Sequence, residues 1–336
     1  MEHEERQSKY NMLRQKIGRW FWPLLILIIL FAAFMMLALL QPNNPESGRR
    51  NFFTSWQNLS PKSLSQQFIS NYGNIPFLGP IINSLTGSNH KKIFTDDFSG
   101  DYRVEEDGKR ADSLNPNWWV NSGGWMVVSG GTGKTVQGDL ESSDKWFKNY
   151  KKNNPDDTDG GAHPQNIFRL VGREKWQNFS QEVYFRINKM NFSESMNRNE
   201  SNGFLLFNRY QDGDNLYYTG LRVDGYSVIK KKLKGDYHTL AEEKIFPGPD
   251  YDRDKNPNLL PVGKWMGIKT EVKTIASGAV QINLYYKENR DSGDWKLVSD
   301  YIDTGQKGAE ITSPGYGGIR TDFMDVEFSD YKIAEF

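Results

Sequence analysis

Trp20 to Leu40 runs for 21 residues without a charged or amide side chain. As a helix rising about 1.5 Å per residue it would reach roughly 30 Å, the hydrocarbon thickness of a bilayer. A cleavable leader would carry a shorter apolar core closed by small residues, whereas this stretch ends Met36-Leu37-Ala38-Leu39-Leu40, so it is expected to remain as a single membrane anchor. Trp20 and Trp22 stand at its leading end like an interfacial aromatic belt. Arg6, Lys9, Arg14, Lys16 and Arg19 precede the span, and the first basic residues after it are Arg49 and Arg50. That asymmetry predicts a cytoplasmic tail at 1–19, a transmembrane helix at 20–40, and everything later on the extracellular side of the cell membrane.

Residues 41–92 read as an extracytoplasmic stalk, with Pro42, Pro45, Pro61, Pro76 and Pro80 set among Asn, Ser and Gly, because repeated prolines stop helices and stiffen a linker. Lys plus Arg total 42 and Asp plus Glu total 42, so the chain as a whole has no basic footprint for nucleic acid. Residues 93–336 hold the acidic excess. With no cysteine there is neither a disulfide framework nor a thiol nucleophile. Asn58, Asn178, Asn191 and Asn199 each open an Asn-Xaa-Ser acceptor sequence, which matters only in a host that glycosylates.

From Ile93 onward short apolar runs alternate with turn residues, and no long 3.6-residue period appears; that pattern belongs to an all-β sandwich. Expected strands are Trp125 to Val128, Asn166 to Val171, Phe179 to Ile187, Gly203 to Tyr210, Leu216 to Val223, Tyr226 to Lys232, Trp265 to Thr274, Val280 to Tyr286 and Met324 to Ala334. The clearest hairpin turns at Asp224-Gly225, read as a two-residue type I′ turn with positive φ at both positions. That turn pairs Val223 with Tyr226, Leu221 with Val228 and Thr219 with Lys230 on a core face. It pairs Arg222 with Ser227 and Tyr218 with Lys231 on a polar, aromatic face.

Phe94 to Tyr102 (FTDDFSGDY), Trp118 to Gly131, Ser201 to Lys232 and Gly315 to Ile333 resemble, in that order, the concanavalin A-like lectin/glucanase superfamily, including laminin G-like jelly rolls and domains labelled family 16 glycoside hydrolases. The resemblance covers roughly 93–336. It implies a two-sheet antiparallel jelly roll with its first and last strands adjacent and a concave face that often holds glycan. It also implies a structural calcium (Ca2+) in some members, held by the start of the first strand and an acid on the last, here Asp97 and Asp330.

The family's hydrolases carry Glu-x-Asp-x-Glu or its bulged form, which places nucleophile and acid/base on one strand face about 5 Å apart. This chain has neither. Asp322, Asp325, Glu327 and Asp330 do not supply that Glu pair. A lyase would need a base beside the uronate carboxylate and a neutralising Arg; Tyr218 next to Arg222 is the nearest such pair, and His163 and His238 belong to no recognised motif. Ser129 to Thr135 (SGGTGKT) ends like a phosphate loop but has Val128 where the first glycine belongs, so no nucleotide site is expected. Asp250 to Asn256 spaces oxygen ligands at every second residue, with Asp252 and Asp254 as calcium candidates, yet Lys255 stands where an EF-hand needs glycine.

Sugar rings stack on aromatic faces and their hydroxyls bond to charged side chains. The candidate carbohydrate-binding set is therefore Tyr218, Arg222, Lys231, Arg209, Arg320, Asp322, Trp118 and Trp119. The two adjacent tryptophans cannot both point inward on a strand, so one is expected at a rim. Trp125, Trp176, Trp265 and Trp295 read as core or sheet-edge aromatics. Three readings stand: a membrane-anchored lectin-like module that binds glycan or polysaccharide, a carbohydrate-active enzyme (hydrolase or lyase), and a structural or adhesion domain with a protein partner.

Overall fold

The structure, a computed structural model, describes residues 91–336. The expected tail, the span at 20–40 and nearly all of the stalk lie outside the described residues, among which no helix is long and apolar enough to cross a membrane. Residues His90–Phe336 form one compact unit.

In chain order the strands are β1 (Ile93–Asp96), β2 (Tyr102–Glu105), β3 (Trp118–Ser122), β4 (Trp125–Ser129) and β5 (Thr132–Lys134), followed by the one described α-helix, α1 (Lys145–Asn153). Then come β6 (Arg169–Trp176), β7 (Phe179–Met190), β8 (Gly203–Asp212), β9 (Asn215–Arg222), β10 (Tyr226–Leu233) and β11 (Asp236–Lys244). The chain closes with β12 (Met266–Thr274), β13 (Val280–Lys287), β14 (Lys296–Asp303), β15 (Gly315–Thr321) and β16 (Met324–Glu335). They form two antiparallel sheets: one of nine strands, in which β1 pairs with β16, and one of seven in the order β11-β10-β9-β8-β15-β6-β3. The first and last strands are thus adjacent, as the resemblance implied.

The two sheets are patterned differently. Along β13, Val280, Ile282, Leu284 and Tyr286 are buried while the residues between them are partly exposed, the alternation of a strand with one face in the core. In contrast, β8 and β9 are buried on both faces for most of their length. Two apolar clusters result. One lies between the sheets and contains Phe185 stacked on Phe204 with centroids 3.9 Å apart, together with Trp118, Tyr217, Leu221, Ile229 and Phe328. The other covers the outer face of the seven-stranded sheet and contains Trp119, Val171, Leu205, Phe207, Leu216, Tyr218, Val228 and Tyr316.

The hairpin of β9 and β10 differs from expectation. Only Gly225 has positive φ, at 86°, and its amide donates to the Arg222 carbonyl at 3.0 Å, so the loop is Val223-Asp224-Gly225, a three-residue turn ending in a glycine bulge. The extra loop residue slides the register by one. Leu221 faces Ser227, Tyr218 faces Lys230 and Tyr217 faces Lys231. On β9 the faces stay as read, but on β10 they exchange, because side chains alternate with period two. The two-residue turn with both φ values positive occurs instead at Gly130-Gly131 (φ 60° and 73°), with Ser129 opposite Thr132. The stretch that mimics a phosphate loop is therefore a hairpin, with Gly133 packed beneath the Phe328 ring. Expected strand 166–171 also starts late, since Pro164–Ile167 forms a 3-10 turn before β6.

Candidate functional site

Register across the seven-stranded sheet builds the outer face row by row. One row runs Trp119, Val171, Gly318, Phe207, Tyr218, Lys230 and Thr239. The next holds Arg169, Arg320, Leu205, Gly220 and Val228. Glycines at 318 and 220 leave room for the large neighbours: a Cβ on Gly220 would run into the backbone of Leu205, 2.8 Å from its Cα. Phe207, Tyr218 and their apolar neighbours form a closed floor, with Tyr218 only 3% exposed. Polar tips rise at its margin.

At that margin the Tyr218 and Tyr237 rings stack with centroids 5.9 Å apart, and the Arg320 guanidinium lies 5.2 Å over the Tyr218 ring. Arg320 Nε donates to both oxygens of Asp322 at 3.0 Å, and Nη1 reaches the Tyr237 hydroxyl at 3.4 Å. Tyr237 is 52% exposed and Lys230 is half-buried. Burial, reinforced by the positive charges of Arg222 and Arg320, pushes the Lys230 ammonium down to about 8. Burial likewise pushes the Tyr218 hydroxyl up. For Tyr237 burial acts in the same direction, but Arg320, Tyr218 and Lys232 together outweigh it and the hydroxyl is lowered.

Of the residues the sequence singled out, Tyr218, Arg320 and Asp322 meet here. Arg222 lies at the turn end of the same face, 8% exposed and engaged by Asp224 and by Glu242 at 2.7 Å. Lys231 does not belong: the register shift turns it inward, where its ammonium is fully buried and donates to Asp303 at 2.8 and 3.0 Å and to the Gly308 carbonyl at 2.7 Å. Arg209 is also fully buried, at a positive-φ bulge of β8. It donates to the Gln177 and Ile311 carbonyls and to Thr274, so it clamps loops instead of meeting solvent. Burial lowers it to about 10.

Neither tryptophan sits at an open rim. Trp118 lies in the core between sheets, edge-on to Tyr331 and bonded through Nε1 to Asp96 at 2.6 Å. Trp119 faces outward but is 8% exposed, because the segment before β3 folds back and the Asp107 carbonyl accepts from its Nε1 at 2.7 Å.

The candidate calcium ligands are dispersed. Asp97 caps its own turn by accepting from the Ser99 amide, and Asp330 pairs with Arg290 at 2.7 Å. Asp252 accepts from the amides of Asp254 and Lys255, and Asp254 faces solvent near Arg198. Among the described residues no group of three or more His, Asp or Glu side chains converges as a metal centre would require. His163 bridges Asp159 and Asp139 at 2.6 and 2.8 Å, a structural link outside the sheet face.

Sequence reasoning missed Arg169, Tyr237 and the outward position of Lys230. Tyr237 had a local signal, since Lys234-Gly235 turns β10 into β11. Arg169 had none, because its neighbour Arg320 arrives from 151 positions downstream.

No family model matches this sequence, and no curated protein is similar to it. Solved structures with a similar course include the carbohydrate-binding module CBM66 from Bacillus subtilis, at 17% identity and TM-score 0.35, covering 49% of this chain and 81% of that one. A protein with a galectin-like fold, also from Bacillus subtilis, matches at 14% identity and TM-score 0.37 over 72% of this chain and 99% of that one. LamAcat from Zobellia galactanivorans matches at 11% identity and TM-score 0.38 over 75% and 99%. At such scores the strand pairings, and not these likenesses, establish the two-sheet sandwich.

Proposed function

We propose that the sandwich is a carbohydrate-binding module whose site is the margin of the outer sheet face around Tyr237, Lys230, Arg320 and Tyr218. The observation that carries this is the pairing of an aromatic platform with fixed charged donors on one face. Aromatic planes take the apolar side of a sugar ring while Arg and Lys bond to its oxygens. The charge-free stretch at 20–40 would hold the module on the extracellular side of the membrane. Protease added to intact cells should then release the domain, and protection until lysis would reverse that orientation.

The deciding experiment is a glycan array probed with the compact unit His90–Phe336, followed by Tyr237→Ala. Glycan capture by the wild type that the variant loses at unchanged melting temperature supports the site; capture retained by the variant moves it elsewhere. Absence of any capture favours the adhesion reading. A lyase-like reading is favoured by one further observation. Lys230, with its ammonium held down to about 8, stands opposite Tyr218 on the adjacent strand, which suits proton transfer near neutral pH. New unsaturated sugar ends after incubation with polyuronate would establish it.

A further inference from the structure

Resting on the glycan reading above, we infer that the sugar recognised on this face is acidic, and that Arg169 and Arg320 together clamp its carboxylate. The two arginines are direct cross-strand partners on β6 and β15, on the same outer face. Like charges placed opposite one another across a sheet are destabilising. Asp322 relieves only one of them, since both its oxygens are taken by Arg320 Nε. The Arg169 side chain makes no hydrogen bond or ion pair with any described residue, though it is close enough to favour the charged forms of Glu106 and Asp157 and to influence Tyr210 and Tyr218.

Two other cations on the face are already paired. Arg222 is held by Asp224 and Glu242, and Lys232 pairs with Asp214 at 3.0 Å. Glu106, beyond Arg169, is bonded to the Tyr150 hydroxyl and the Gly124 amide. What remains is a guanidinium pair on adjacent strands in which the Arg169 side chain has no acid at hydrogen-bonding distance among the described residues. Guanidinium matches a carboxylate in plane and through two hydrogen bonds, which an ammonium cannot do. A uronate supplies such a carboxylate on a ring that the Tyr237 plane can carry.

The test uses the full chain in detergent micelles, titrated with sodium polygalacturonate, dextran sulfate and neutral dextran. Polygalacturonate is expected to bind most tightly, to weaken with added salt, and to lose about tenfold or more in affinity in Arg169→Gln. Arg169→Lys should recover only part, because the fork geometry is lost. Without ligand, Arg169→Gln should melt within a few degrees of wild type, since the lost repulsion from Arg320 is set against the lost attraction to Glu106 and Asp157. Equal affinity for dextran sulfate would overturn the carboxylate assignment. Dextran binding that Arg169→Gln leaves unchanged would overturn the acidic class while sparing the glycan reading, and no binding of any of the three would remove both.

Discussion

Lys230 and Lys231 are neighbours on one strand and do opposite things. Lys231 is fully buried with Asp303, which also accepts from the Tyr217 hydroxyl at 2.6 Å. Removing one partner of a buried pair leaves the other charge uncompensated, so Lys231→Met should cost about 3 to 5 kcal/mol in urea denaturation. Adding Asp303→Asn should recover part of that loss. Lys230 makes stability depend on pH. Its folded value of about 8 lies below the ordinary 10.5, so between those limits the unfolded chain binds more protons and this group makes stability rise with pH. Wild type should therefore gain on Lys230→Met as pH climbs from about 8 to about 10, seen as a shrinking difference in melting temperature. A constant difference would show that the amine titrates normally. No local pattern separates these lysines; which one is buried follows from a single extra residue in the preceding loop.

That loop shows what can be read at the scale of an element. Asp224-Gly225 correctly marks a turn between two strands, because glycine alone takes φ near +86° without strain. It does not reveal whether two or three residues close it. The Arg222 carbonyl, satisfied by the Gly225 amide, decides that. Gly225→Ala would place a methyl 2.7 Å from the Phe246 carbonyl oxygen at a left-handed backbone position, and should cost at least about 1 to 2 kcal/mol. Gly130, also left-handed but with open space around it, should accept asparagine with little loss, as a type I′ turn favours that residue. Comparable destabilisation at both positions would mean that steric contact at Gly225 is not what matters. The helix α1 went unread for a related reason. Its capping residue Asp144 is visible, but the element is short and one buried residue, Tyr150, fastens it through Glu106 and Gly123.

For the whole molecule, long-range pairing dominates. β1 pairs with β16, and β7 in mid-chain also pairs with β16, so the nine-stranded sheet cannot close until distant segments meet. Such topologies fold in milliseconds to seconds. Stopped-flow tryptophan fluorescence of the His90–Phe336 unit should show refolding in that range, with the Trp118 environment, packed against Phe94, Phe98 and Tyr331, among the last to form. Submillisecond refolding would contradict this. By itself the sequence determined the all-β class, nine of the sixteen described strands and the turn at Asp224-Gly225, because period-two burial and glycine-bearing turns are local properties; β11, β14 and the central β15 were not read as strands. It also selected Tyr218, Arg320 and Asp322, since polar and aromatic residues stand out in otherwise apolar strands. Only the tertiary structure decided that Arg209, Lys231 and Trp118 are interior, that Trp119 is covered, and that Arg169 stands against Arg320. These depend on register and on which strands become neighbours, and a one-residue slip or a pairing across 151 positions leaves no trace in the local pattern.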